Sequence, residues 1–314
     1  MADSYDQFLA AAATQVRETW PDLIDKSIDM IWDQRNEAPS LVLGQFFDTV
    51  KAASKEYVIS SVTSHLPLPR EAEDLDPKPY AVAAPGRKKT FTVTNYQLAV
   101  RATDTAFRLD RFDKIFYSVS GLVQSTARFD ELHRAAIIDD MFAGTDGDDS
   151  LSLCNDSHPN ENRETGTWDN SGTGALSGPN LHAMILLADL MTDAQGHPNS
   201  TGGPYTAVIP PQLRQTIIEL TKTPLKPNTA LNDTNALLQD VTWVKSPYLS
   251  SAVQYGIFGN LRGEEKGLFE VANMDWDISD NKPANVDIKI DRRAKAIKTY
   301  GFTHSRNFFG STGA

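Results

Sequence analysis

At 314 residues, with 40% hydrophobic and 23% charged side chains, the chain can bury a sizeable core and lies outside the composition of disordered proteins. Its formal net charge of −11 disfavours tight direct binding of nucleic acid, which is built on lysine and arginine contacts to phosphates. A single cysteine, Cys154, excludes an internal disulfide framework, and no run approaches the roughly 20 apolar residues that cross a bilayer, so no membrane partner is expected.

Two helices are predicted in the first fifty residues. One is the alanine-rich stretch from Tyr5 to Thr19, and the other follows Trp20-Pro21 with Leu23, Ile24, Ile28, Ile31 and Trp32 at helical spacing. They form either a surface helix pair on the core or an arm around a neighbouring subunit. His65 to Arg87 is dense in proline and acid and lacks periodicity, so it is an extended, projecting segment.

From Lys88 the sequence alternates, with Phe91 and Val93 on one face and then Tyr96, Leu98, Val100 and Ala102 in the shifted phase. The change at Asn95 predicts a bulge or bend. If the stretch before Pro67 returns as the partner strand, the whole is a two-stranded flap with the proline-rich segment at its tip. Such a ribbon is marginal alone and should lie on another surface.

Phe91, Val93, Tyr96 and Leu98 cannot all be covered by the ribbon itself, so some of them are expected to meet an adjacent subunit. Glu71, Glu73, Asp74 and Asp76, with Arg70, Arg87, Lys88 and Lys89, supply charges that could set the register of that contact.

Residues 111–143 carry one apolar stripe, Phe112, Ile115, Phe116, Val119, Leu122, Val123, Phe129, Leu132, Ile137 and Met141, which predicts the longest helix. Gly121 within it raises the prospect of a close packing neighbour. A polar loop follows to about residue 176. Ser177 ahead of Pro179 then starts a helix to about Met191. Tyr205 to Ile209 reads as a buried strand, and Pro210-Pro211-Gln212-Leu213 opens a helix ending near Thr221. Val241 to Val244, Tyr255 to Phe258 and Phe269 to Val271 are short strands. The run Val286, Ile288, Ile290 and then Ala296 to Phe302 is a late strand returning to the long helix.

Catalytic and metal motifs are missing. Cys154 and His158 lack the further ligands of a structural zinc, and Asp146-Gly147-Asp148-Asp149 lacks the glycine and the bidentate acid of a calcium loop. There is no phosphate-cradling glycine loop, nucleophile elbow, H-E-x-x-H pair or dinucleotide fingerprint. No cofactor, metal or catalytic residue is assigned, and the chain is not expected to be an enzyme.

The order of elements, with five short segments, carries a resemblance. Cys154-Asn155-Asp156-Ser157-His158-Pro159-Asn160 resembles the "LFxxxHPN" segment that opens the second half of many tailed-phage capsid proteins, particularly of the Mu-type capsid family, with cysteine where an apolar aromatic is usual. Gly174-Ala175-Leu176-Ser177, Thr192-Asp193-Ala194-Gln195-Gly196, Val208-Ile209-Pro210-Pro211-Gln212-Leu213 and Tyr300-Gly301-Phe302 are similar to further segments of that family in the same order.

The resemblance implies an α+β, HK97-like capsid fold. It divides the chain into an N-terminal arm (1–45), a first part of the peripheral domain (46–175), an axial domain (176–285) and a returning peripheral strand (286–314). The first peripheral part holds an extended loop at about 55–100 and a spine helix at about 111–143. The implied function is that of a major capsid protein whose hexamers and pentamers close into an icosahedral head around double-stranded DNA. The implied partners are copies of itself, a scaffolding protein, a portal and, in some relatives, a decoration or cement protein, with assembly in the host cytoplasm. A separate scaffolding protein is expected because few residues precede the body, and cross-linking between subunits is not expected. An encapsulin-like nanocompartment shell and a soluble α+β hydrolase stay open as alternatives at this point.

Overall fold

The computed structural model describes residues 42–60, 71, 80, 86–103, 112–160, 166–192, 203–223, 235, 237–260, 266–280 and 288–314. The two helices expected before residue 41, and most of the proline-rich tip, lie outside the described residues.

In chain order the elements are a 3-10 turn Leu43–Phe46, then strands β1 (Asp48–Lys51), β2 (Glu56–Ser60), β3 (Lys88–Thr92) and β4 (Thr94–Thr103), and helix α1 (Phe112–Asp139). Strands β5 (His158–Pro159), β6 (Thr167–Trp168) and β7 (Ser171–Gly172) precede helix α2 (Gly178–Asp189) and strand β8 (Tyr205–Ile209). A 3-10 turn Pro211–Leu213 leads into α3 (Arg214–Lys222), followed by α4 (Leu237–Asp240), β9 (Val241–Lys245), β10 (Tyr255–Phe258), β11 (Leu268–Asp280), β12 (Ile288–Phe302) and β13 (Phe308–Ser311). The sheets are ordered β1-β11-β12-β4, β7-β13-β10-β8-β9, β2-β3 and β5-β6. The result is the mixed α+β class read from the sequence.

The chain divides into two compact units. The described part of the first comprises residues 97–103, 112–128, 278–280 and 288–294; the second comprises the described residues of 42–96, 129–277 and 295–314. Within the first, Arg101 donates to the buried carboxylate of Asp291 at 3.0 Å.

The second unit is built on the five-stranded sheet. Ser177 accepts a hydrogen bond from the Asn180 N–H and caps α2, with Pro179 in the first turn where no donor is needed. The apolar side of α2 (Leu181, Met184, Ile185, Ala188) and Ile217 and Leu220 of α3 pack with Tyr205, Ala207, Ile209, Tyr255 and Ile257 of the sheet and with Phe309. A second core gathers Leu43, Phe46 and Phe47 with Ala135, Ile138 and Met141 from the end of the long helix, and with Phe258, Phe302 and Phe308.

β13 was not expected from the sequence. It runs antiparallel to β10, pairing Ile257 with Phe309, and parallel to β7, so the last residues join the same sheet as residues 205–258. Gly310 is needed there for close approach: a Cβ would fall 2.6 Å from Cys154 Sγ and 2.7 Å from Met141 Sδ.

The flap has its partner strand only as far as Thr92; β4, expected to continue the same ribbon, pairs with β12 in the four-stranded sheet instead. β2 and β3 pair antiparallel, from Glu56 against Thr92 to Ser60 against Lys88. The break comes at Val93, whose N–H donates to Lys55 O at 3.0 Å, two residues before the expected bend at Asn95. The long helix spans 28 residues, about 42 Å at ~1.5 Å per residue, and stops at Asp139 instead of continuing to 143. No close neighbour explains Gly121, because among the described residues nothing lies within 4 Å of a Cβ placed there.

Candidate functional site

For a chain without a catalytic motif the informative places are the flap and the buried polar clusters. Phe91 and Val93 are buried in the second unit with Ala52, Ile59, Phe269 and Val271. The Phe91 ring stands edge-on to Phe269 at 6.3 Å. It also lies over Gly301, where a Cβ would come within 2.6 Å of its ring, so the Tyr300-Gly301-Phe302 segment has a packing reason for its glycine. These two residues are thus covered by their own chain, and for them the expected contact with a neighbour gives way to an internal one.

Tyr96 is half-buried, its ring 4.5 Å from Phe129 and 5.7 Å from His133. Leu98 stays 47% exposed, as does Val58 at 53%. Of the charged residues, Glu71 and Lys88 are exposed and Glu73 lies outside the described residues. Arg87 reaches to 4.0 Å from Asp149, and Lys89 Nζ donates to Asp146 O at 2.6 Å. The base of the flap is therefore tied to the 146–149 loop of its own subunit.

That loop anchors a buried relay. Asp149 Oδ2 lies 2.6 Å from His158 Nδ1, and His158 Nε2 lies 3.2 Å from Ser305 Oγ. Burial alone would raise the Asp149 pKa. The His158 and Leu151 hydrogen bonds, aided by the charges of His158 and Arg87, outweigh it and hold the carboxyl below its ordinary value.

Three groups in this order match the connectivity of a serine nucleophile with its base, but geometry must come with access. His158 and Ser305 are buried, and Trp168 stacks on the imidazole at 4.3 Å. The trio is therefore a clasp between loops. Asn170 reinforces it, donating to Leu153 O at 2.8 Å and Phe308 O at 2.9 Å while accepting from the Asn155 N–H at 2.9 Å. Cys154, beside this clasp, is buried, and burial pushes its thiol pKa well up.

A second cluster was missed from the sequence. Lys298 is 0% exposed, and its ammonium lies 2.9 Å from Asp130, 3.0 Å from Glu270 and 3.1 Å from Asp275. The three carboxylate oxygens fall within 4.8 Å of one another, a spacing that would suit a cation, and the lysine supplies it. Asp130 Oδ1 also accepts from Trp276 Nε1 and Tyr300 OH, each at 2.7 Å.

Glu270 is held on its other oxygen by Arg134 at 2.5 Å. Burial would lower the Arg134 pKa, but the Glu270 charge and hydrogen bond outweigh it and raise the value. The Tyr300 pKa is raised by burial and by the Asp130 and Glu270 charges, so its hydroxyl stays protonated as a donor. Glu131 accepts from the Val42 and Leu43 N–H groups at 3.1 and 3.0 Å, fastening the first 3-10 turn to the helix, and burial raises its pKa.

The signal for this cluster was present as parity. Ala294, Ala296 and Lys298 follow at two-residue steps on one face of β12 and all three are buried, so Lys298 continues a buried face.

Residues 87–301 match the phage capsid protein family, and the chain belongs to that family. A search of curated protein sequences finds no match. Among solved structures the chain is similar to the capsid of Ralstonia phage GP4 at 10% identity, with a TM-score of 0.53 and coverage of 85% of this chain and 86% of that one. It is similar to the capsid of the cyanophage P-SCSP1u at 12% identity, with a TM-score of 0.52 and coverage of 85% and 86%. The capsid of a native GTA particle matches at 10% identity, with a TM-score of 0.52 and coverage of 87% and 89%.

At these identities the likeness speaks for the fold, which is HK97-like as the sequence implied. The family match, together with the fold, resolves the alternatives left by the sequence in favour of a structural protein of the phage capsid.

Proposed function

We propose that copies of this chain form hexamers and pentamers that close into an icosahedral head around double-stranded DNA. The family match over residues 87–301 carries the reading. In this scheme residues 1–45 are the N-terminal arm, about 55–100 the extended loop, the long helix the spine, 176–285 the axial domain, and 286–314 the returning part of the peripheral domain. The net charge of −11 suits a wall that encloses DNA without gripping it, since like charge repels the polymer.

Assembly takes place in the host cytoplasm with a scaffolding protein and a portal, and no catalytic step is assigned to the subunit. On the flap, Val58, Glu71 and Lys88 stay exposed in their own chain and remain candidates for the contact; Leu98, on β4, is a separate exposed candidate. Phe91 and Val93 are left out because they are internal.

Expression with the phage's own assembly partners, followed by negative-stain electron microscopy and gel filtration, tests this reading. Rings and closed shells are expected, because one subunit must make heterologous contacts that close. A product that stays monodisperse as monomers or dimers would sink it.

A further inference from the structure

We propose that Lys298 and Asp130 become joined by an amide bond within the subunit, an intramolecular isopeptide link between the long helix and β12. The bond needs an amine held against a carboxyl out of water, donors that polarise that carboxyl, and a neighbouring base to carry the proton. All are present. Lys298 Nζ is fully buried and lies 2.9 Å from Asp130 Oδ1. Trp276 Nε1 and Tyr300 OH both donate to that same oxygen at 2.7 Å, drawing charge from the carboxyl carbon as an oxyanion hole does.

Glu270 Oε1 is 3.0 Å from the nitrogen, within reach to take a proton from it, and Arg134 on the other oxygen holds the carboxyl group in place. The fixed placement of amine and carboxyl removes the entropic barrier that makes such condensation slow in solution. Asp275 is a poorer electrophile in this setting, since its side chain is 72% exposed to water.

The step balances without any further reagent. The Lys298 ammonium passes one proton to Glu270, and the freed lone pair attacks Cγ of Asp130 to form the C–N bond. One C–O bond of the carboxyl then breaks. That oxygen leaves as water, carrying two of the three ammonium protons, one of them returned by Glu270, which ends as it began. Nothing is oxidised or reduced. The water can leave past Asp275, which lies 3.1 Å from Lys298 Nζ and has a side chain that is 72% exposed. Lying within one chain, the link adds no multimer band on a denaturing gel, so it is compatible with a shell that has no cross-links between subunits.

Intact-mass measurement on the denatured full-length protein tests the proposal. The subunit should weigh one water less than its sequence, and digestion should give a branched peptide joining the Asp130 and Lys298 segments through Cγ and Nζ. Lys298→Arg and Glu270→Gln should both return to the full sequence mass. Wild-type subunits at full mass, both before and after assembly, overturn the proposal. So does a one-water deficit that maps to a succinimide at Asp146-Gly147 instead of a branched peptide. The decisive reading is made on the wild type and does not depend on whether the variants fold.

Discussion

Asp149 and His158 are nine residues apart and 2.6 Å apart, and through His158 Nε2 the pair reaches Ser305, joining the polar loop after the long helix to the segment before β13. The pair makes stability depend on pH with a definite sign. The folded pKa of Asp149 lies below its ordinary 3.8, so its contribution is fully present above that value and is lost as pH falls through the lower, folded pKa. Asp149→Asn should cost about 1.5–3 kcal/mol at neutral pH, the range for hydrogen bonds to a charged group. The difference from the parent should shrink as the pH drops below 3.8. Urea unfolding of both proteins across that range is the measurement, and a gap that stays constant with pH would show that the carboxylate charge is not its source.

The Lys298 cluster predicts an asymmetry between its members. Lys298→Met removes the partner of the buried Asp130 and Glu270, and breaking a buried ion pair by removing one partner costs about 3–5 kcal/mol, a loss that the proposed amide link would only enlarge. Asp275→Asn removes a carboxylate that is largely in water, and should change stability by no more than about 0.5 kcal/mol. Denaturant midpoints of the two variants separate these cases. Equal effects would mean that the cluster is not organised around the two buried carboxylates.

Most of the architecture was legible where local signals and the burial pattern agreed. Ser177 with Pro179 announced α2, Tyr205 to Ile209 announced β8, and the single apolar stripe announced the long helix. The flap was read as a ribbon, but the fate of Phe91 was not, because the strand that covers it with Phe269 and Val271 lies about 180 residues further on. β11 and β12 were read as fragments for a related reason. Their charged residues interrupt the apolar pattern, and only the paired structure shows Glu270 on Arg134 and Lys298, or Asp291 on Arg101. β13 carried the signal of two adjacent phenylalanines, yet four residues are too few for alternation to declare a strand at the centre of a sheet.

Gly121 offers a test on the long helix. It is exposed, and among the described residues nothing lies within 4 Å of a Cβ built on it, so alanine fits without strain. Gly121→Ala should stabilise the isolated subunit by about 0.5–1 kcal/mol, through helix propensity and a less flexible unfolded chain. Thermal unfolding of the subunit should show the gain. If the variant unfolds at a lower temperature than the parent, the glycine answers a packing need that the described residues do not show.

Phe91 and Leu98 lie on consecutive strands and should fail in opposite ways. Phe91 is buried among Ile59, Phe269 and Val271, so Phe91→Ala should cost the subunit about 3–5 kcal/mol, the usual loss for a large aromatic removed from a packed core. Leu98 is 47% exposed in its own chain, and Leu98→Ser should leave subunit stability within about 0.5 kcal/mol. If β4 lies against a neighbour in the shell, Leu98 is where apolar area remains to be buried, and the serine variant should give shells that dissociate at lower denaturant concentration than the parent's. Urea unfolding of subunits and light scattering of assembled shells, read on the same two variants, separate core from contact. A Leu98→Ser protein whose shells are as resistant as the parent's would move the contact off this strand, leaving Val58 on β2 as the next residue to change.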